Sequence, residues 1–458
     1  MRLSRRRFLK FTGLTAASVL TGSLVEACRR GPTQALPTLS PEDMTATVEA
    51  QGVTVSTPIA GKTNVTWWTH NNPTFVEANK EMIRRFEAAN PEIHIVYQYF
   101  PYGVFINKLQ AGYRAGTVAD MQQMFGTWVT EYAKNGLLDP VPDTLAASLE
   151  ERFWPAALGA YKYQGTYYGL PNEYNLENGG MLVNPKLLQE AGYSEPPTTW
   201  EQLIEYAQKL TKRDEQGNLQ QVGFAFTNPD SPTFLLLELI LEQGGTYWAA
   251  DGVHVDFSTD AAKTAWQVET ELITKYKVDM PGAYTGDSYE VFFRGQAAMA
   301  MRGPWAISAG KEEFPEFDFI YAEIPPYRKP RKFAAESGWG EVVNAKADPK
   351  VKEAAWKFIE FMHHDENMRD WNTITFTIPS LKPLQNDAQI LAKAPELKVA
   401  FDVIPAGQWV GPVQNRDRFW QTISDALTAV ALGQMSAADA LRDAEQKINA
   451  MIDEYVGP

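Results

Sequence analysis

A chain of 458 residues exceeds what one ordinary core holds, so two domains are expected. With 44% hydrophobic and 21% charged residues it has the composition of a soluble globular protein, and a formal net charge of −14 argues against nucleic acid or an anionic membrane surface as partner. Its single Cys excludes an internal disulfide and a Cys-rich metal site.

Residues 1–27 read as an address. Ser4-Arg-Arg-Arg-Phe-Leu-Lys10 resembles a twin-arginine export signal, and the run from Phe11 to Val25 is too short and too polar for a membrane-spanning helix. Val25-Glu-Ala-Cys28 resembles a lipobox, with Glu26 where a small or apolar residue is usual, and Cys28 is the expected lipid anchor. Residues 28–61, rich in Pro, Thr, Ser and Ala, are predicted to form a flexible tether.

Asn64-Val-Thr-Trp-Trp68 is a predicted strand with Thr69–Asn72 as its loop. Pro73 opens a helix with Phe75, Met82, Ile83 and Phe86 as apolar positions, and Ile93–Tyr99 alternates as a second strand. This order, with a helix-length crossover, predicts parallel pairing and an α/β lobe. A helix over Val104–Ala115 follows, and Trp128 is placed just beyond a strand end, where α/β sheets bind ligands.

Tyr167-Tyr-Gly-Leu-Pro171, a polar interruption from Asn172 to Asn178, and Gly179–Asn184 form a strand broken in mid-course. Such a segment suits a chain leaving one lobe and entering another. Gly192 closes the next helix, and Thr199 with Gln202 has capping-box spacing. The second lobe continues with a strand (Val222–Phe226), a helix (Pro232–Gln243), a loop ending at Trp248, and a long helix from Asp260 to Tyr276. A buried strand then reaches the Gly303-Pro304 turn, with Trp305 starting a helix. Phe333–Asn344 is a predicted return crossing interrupted by Glu336-Ser-Gly-Trp339, and Ile378–Pro383 a third crossing. Terminal helices over Asp417–Leu432 and Ala437–Tyr455 are expected to pack on the second lobe.

Tyr168-Gly-Leu-Pro171, Asn184-Pro-Lys-Leu-Leu188, Ala191-Gly-Tyr193, Pro197-Thr-Thr-Trp200 and Phe292–Trp305 together resemble the large-ligand (family 1) extracellular solute-binding proteins, which are receptors of ATP-binding cassette importers. The resemblance runs from about Lys62 to the C-terminus, with Ala119 where the family usually has Pro. It implies an α/β, two-lobed periplasmic-binding-protein fold of type II-like form, each lobe a mixed sheet flanked by helices. The discontinuous lobes are expected over 62–172 with 336–377 and over 178–335 with 378–458, joined by hinge crossings. It further implies a monomeric receptor that captures a mono- or oligosaccharide in the interlobe cleft and delivers it to the transmembrane subunits of the permease. The receptor touches the membrane through its lipid anchor only, with no cofactor, no metal and no enzyme activity expected.

A pyranose has one apolar C–H face and a rim of hydroxyls, so its site needs aromatic platforms and planar polar groups. Trp68, Trp128, Trp248, Trp305, Trp339 and Trp409 fall in predicted loops or interruptions, whereas Trp200, Trp266, Trp356 and Trp420 fit helical core positions. The polar candidates are Asn71, Glu173, Asn175, Arg302, Glu336 and Arg416; Arg302 could instead pair with an acid for structure, and Arg416 could cap a helix. Two alternatives stay open: the same receptor binding a glycerophosphodiester or quaternary ammonium ligand, and a carbohydrate-active enzyme using Glu173 and Glu336. No phosphate loop, nucleophile elbow or zinc-helix motif is present, and His363-His-Asp-Glu366 reads as a solvated helix end.

Overall fold

Two adjacent tryptophans on one strand, Trp67 and Trp68, are both buried, and that dictates how the first sheet is built. A strand buried on both faces belongs in the middle of a parallel sheet covered by helices. The computed structural model describes residues 52–456 except 178, 229 and 285. The signal, Cys28 and the tether up to residue 51 lie outside the described residues.

In chain order the first part comprises β1 (Val53–Thr54), β2 (Thr63–His70), α1 (Pro73–Ala89), β3 (Ile93–Phe100), α2 (Tyr102–Ala115), β4 (Met121–Phe125) and α3 (Gly126–Lys134). Asn72 caps α1 by accepting from the Thr74 and Phe75 amides, with Pro73 at the first helical position. β2 pairs in parallel with β3 and with β4. The chain then leaves through β5 (Gly169–Pro171) and β6 (Tyr174–Asn175) and enters a second sheet at β7 (Met181–Val183). That sheet adds β8 (Lys212–Arg213), β9 (Leu219–Ala225), β10 (Ala297–Met301) and β11 (Ile320–Ala322). The return runs through β12 (Phe333–Ser337) into β13 (Trp339–Val343), and β14 (Gly407–Trp409) comes last.

The strand orders are β1-β3-β2-β4-β13-β5 in the first sheet, β8-β9-β10-β7-β11 in the second, and β14-β12-β6 in a small sheet between them. Each large sheet is mixed: β9 and β10 are parallel, whereas β7 and β13 run antiparallel to their neighbours. Three crossings lie side by side. Glu336 pairs with Asn175, the Tyr174 amide donates to Ile378 O at 2.8 Å, and Ser380 Oγ donates to Pro171 O at 2.6 Å. Two lobes, each built from separated stretches of chain, are thereby joined through extended strands.

Local signals act as expected, with refinements. Gly192 takes φ +85° after the helix Pro185–Glu190. Thr199 Oγ1 accepts from the Gln202 amide, but Gln202 answers to Thr198 rather than Thr199. The helices Arg416–Ala431 and Ala437–Val456 bury Phe419, Trp420, Ile423 and Ile448 against the second lobe. Trp200, Trp266, Trp356 and Trp420 are core residues.

Two expectations are corrected. Residues 53–54, placed in the flexible tether, pair with Gln98 and Tyr99 at the edge of the first sheet, and Ser56 Oγ donates to Ile95 O. An edge strand offers unpaired backbone groups to any extended segment long enough to reach it. His363 is not a solvated helix end: it is fully buried, with its ring nitrogens against Ile359 O and Pro171 O. Burial holds its pKa down at about 4, so it stays neutral. Among the described residues, no helix is long and apolar enough to cross a membrane.

Candidate functional site

The sheets present their loops to a common seam beside the crossings, and two unlike groups of side chains meet there. The first lobe contributes aromatic faces. Trp339, the first residue of β13, stacks on His70 at the end of β2, with ring centroids 4.4 Å apart and planes 24° apart. Trp128, on α3, meets Trp339 edge-on at 5.5 Å, and Tyr102, at the start of α2, meets it edge-on at 6.1 Å. Tyr102 is 51% exposed, so this cluster opens to solvent. His70 Nδ1 bonds Gln123 Oε1 at 2.6 Å, and burial lowers the imidazole pKa to about 4. A neutral ring stacks without bringing charge to the site.

The second lobe contributes charge. Arg302, only 1% exposed, pairs with Asp287 and lies 3.4 Å from Glu177 and 3.7 Å from Asp230. Arg416 forms two parallel bonds to Glu336, at 2.8 and 3.0 Å, and reaches Asp230 at 2.9 Å. Asp230 therefore bridges the two guanidiniums. Trp305 joins the group: its Nε1 donates to Glu177 Oε1 at 2.8 Å, and the Arg302 guanidinium lies over its ring. With Asp417 3.5 Å from Arg416, five carboxyls face two guanidiniums, an acid surplus of three, and each guanidinium is already committed. Burial raises the Tyr102 phenol pKa, and the charges of Asp417, Asp230 and Glu336 raise it further against Arg416.

Burial sets the protonation of the remaining acids. Glu173 accepts from the Trp339 amide at 3.1 Å, yet desolvation raises its pKa to about 7. Glu177 and Glu336 are likewise pushed above the usual carboxylate range by burial, against the pull of Arg302 and Arg416 respectively.

Of the residues singled out in the sequence, Trp128, Glu173, Asn175, Arg302, Trp305, Glu336, Trp339 and Arg416 gather at this seam. Asn175 Nδ2 reaches Glu336 at 3.5 Å. Asn71 is exposed between β2 and α1, directly after His70. Three tryptophans are elsewhere. Trp68 is a strand residue, 8% exposed, with its Nε1 on Gln98 and the Lys108 ammonium over its ring. Its strand runs two residues further than the pattern suggested, which turns this indole into the core under α2. Trp248 donates to Val410 O at 2.9 Å and packs against Gly411, holding the segment before Arg416. Trp409 lies on β14, packed on Gly159, so it supports the crossings.

Glu177, Asp230, Asp287, Tyr102 and His70 complete the cluster and were not singled out. Glu177 sits in the polar interruption, so a signal existed; the others take their roles from partners far away in sequence.

The pocket alongside has a volume of about 430 Å³ and runs between α2, α3 and residues Asn415–Asp417. Clefts of roughly 300–1,000 Å³ are typical of small-molecule sites. Aromatic faces opposite paired carboxylates suit a ligand with an apolar face and a hydroxyl rim.

The profile of the bacterial extracellular solute-binding protein family matches residues 72–369. The maltotriose-binding protein of Pyrococcus abyssi is 27% identical over 335 residues, covering 72% of this chain and 69% of that protein. The sn-glycerol-3-phosphate-binding periplasmic protein of Escherichia coli is 23% identical over 364 residues, covering 75% and 80%. Among solved structures, the cyclic alpha-maltosyl-1,6-maltose binding protein of Arthrobacter globiformis superposes with a TM-score of 0.73 at 23% identity, covering 86% of this chain and all of that one.

Proposed function

Because the chain belongs to the bacterial extracellular solute-binding protein family, we propose that it is the receptor of an ATP-binding cassette importer and that its cargo is a carbohydrate. The observation that carries this reading is the seam itself: Trp339 and Trp128 on the first lobe, Trp305 with Glu177 and the Arg416–Glu336 pair on the second, and Glu173 at the crossing. In this reading the ligand's C–H faces rest on indoles while its hydroxyls bond the carboxyls. Contacts to both lobes stabilise the closed form, with the three crossings as hinge. A micromolar dissociation constant, suited to capture and release, corresponds to about −8 kcal/mol. The lobes in this proposal are 62–172 with 336–377 and 178–335 with 378–458, and the binding set is the eight gathered residues with Glu177 and Asp230.

The acid surplus weighs on the alternatives. A glycerophosphodiester favours a free cation for its phosphate, and Arg302 and Arg416 are both held by carboxylates, while Arg114 lines the pocket among Glu131 and Asp417. A quaternary ammonium ligand suits the charge, but the cluster carries hydrogen-bonding groups for which such a head has no use. An enzyme reading requires a free acid and base, whereas Glu336 is clamped by two bonds from Arg416. The motif at Ser4–Lys10 and Cys28 supports export by the twin-arginine route and lipid anchoring to the cell membrane, with residues up to 51 as tether and the receptor acting as a monomer.

The test is thermal unfolding and tryptophan fluorescence of the purified protein with mono- and oligosaccharides, sn-glycerol 3-phosphate and choline. A ligand bound by the native state alone raises the melting temperature by mass action. A saturable shift with a sugar supports the proposal; a shift with the phosphate or choline alone replaces the cargo.

A further inference from the structure

An amide buried in the middle of a sheet needs a reason to be there. Gln123 lies on β4, between β2 and β13, and is fully buried. Its Nε2 meets no acceptor among the described residues, so as a core residue it costs stability rather than adding to it. Its Oε1 bonds His70 Nδ1 at 2.6 Å. An amide oxygen only accepts, so the shared proton sits on Nδ1. The imidazole, kept neutral by burial, then has its lone pair on Nε2.

His70 passes this restraint on to Trp339. The imidazole stacks on the indole, whereas Phe125, Trp128 and Tyr102 meet it edge-on at 5.3, 5.5 and 6.1 Å. One face of the indole is thus backed by a flat ring, and its rim is fenced by three others. Trp339 is only partly buried, and among the described residues no second ring stacks on its opposite face. An imidazole free to turn would let the indole tilt; the bond to Gln123 stops the turn.

Resting on the carbohydrate reading above, in which Trp339 is a stacking surface, we propose that His70 and Gln123 are its positioning residues. Gln123 fixes the tautomer and the orientation of the imidazole, and His70 backs the indole so that a sugar ring meets a face of set tilt. Neither residue needs to touch the ligand.

Two measurements on the full protein test this. Nuclear magnetic resonance of isotope-labelled histidine reads the tautomer with no ligand present, the His70 signal being the one lost in His70→Phe. The parent should show the Nδ1–H form at His70, and Gln123→Met should lose it. Calorimetric titration then uses, as probe, whichever saccharide binds the parent most tightly among glucose-, galactose-, mannose- and xylose-based saccharides of one to four units. His70→Ala should weaken binding on the order of tenfold, the worth of one aromatic pair. His70→Phe, which restores a flat ring under the indole, should recover most of that loss. Gln123→Met should weaken binding roughly threefold while the melting temperature stays near the parent's, because an unpartnered amide is removed. A purely structural Gln123 would lower the melting temperature and leave affinity alone. An Nε2–H form at His70 in the parent overturns the proposal, as does parent-like affinity in His70→Ala, or equal weakness of the Ala and Phe variants. If His70→Ala does not fold, parent-like affinity in Gln123→Met overturns it. A parent that binds none of these saccharides overturns the carbohydrate reading and this inference with it, whereas a parent that binds while its variants are unaffected overturns this inference alone.

Discussion

Replacing Arg416 by Met removes the guanidinium that lies over Trp420 and holds Glu336. Glu336 is fully buried, and Arg416 is only 16% exposed. Removing one partner of such a pair costs about 3–5 kcal/mol when the other stays ionised. Glu336 has an escape, which is to bind a proton, and that costs about 1.4 kcal/mol for each pH unit above an ordinary carboxyl pKa near 4.3. At pH 5 the escape costs about 1 kcal/mol, so the loss is small; at pH 8 it costs about 5 kcal/mol and offers nothing. The sign follows from linkage. Burial raises the folded-state pKa of Glu336, and Arg416 opposes this. A raised carboxyl stabilises fully below the unfolded pKa, and that contribution is lost as pH climbs toward the folded one. Without Arg416 the folded pKa rises further, so the loss extends to higher pH. With an unfolding entropy of about 2.1 cal/mol/K per residue over some 400 residues, 3–5 kcal/mol lowers the melting temperature by about 4–6 °C. The assay is calorimetric melting of parent and variant at pH 5 and pH 8. The drop should be several degrees at pH 8 and about 1 °C at pH 5, and adding Glu336→Gln should recover most of it. Equal drops at both pH values, or a double variant worse than the single one, refute the reasoning.

Trp305→Phe keeps a ring but deletes the donor that Glu177 Oε1 accepts at 2.8 Å. It should cost about 1–2 kcal/mol of stability, read by denaturant titration, and weaken sugar binding; parent-like affinity removes Trp305 from the binding set. Gly338→Ala places a methyl group 2.5 Å from Glu173 Cγ at the crossing. The carboxyl must swing away from the Trp339 amide, at about 1–3 kcal/mol, and sugar affinity should fall. A variant with parent stability and parent affinity shows that Glu173 moves aside at no cost and contributes no hydrogen bond to the ligand.

The elements at the seam differ in how much of their role a linear pattern carries. Trp305 is legible because Gly303-Pro304 stops a buried strand and the indole starts the following helix, all within a few residues. The interruption 172–178 is legible as polar residues inside an apolar strand, and it contains Glu173, Asn175 and Glu177. Trp68 is not legible: an indole at a strand's end and one in a strand buried on both faces carry the same neighbours. Trp248 and Trp409 also lie beside turns, yet a carbonyl at 410 and a glycine at 159 claim them.

The sequence by itself determined the α/β class, the extended segments that cross near 171, 336 and 378, and most helix limits. These depend on periodicity, caps and turns, which act over a few residues. Only the tertiary structure decided which indoles face the seam, that residues 53–54 close the edge of the first sheet, that His363 is buried, and that Arg302 and Arg416 are already taken by carboxylates. Arg416 meets Glu336 across 80 residues and Arg302 meets Glu177 across 125. Such pairings are set by how sheets register and lobes abut, and no short window of sequence contains both partners.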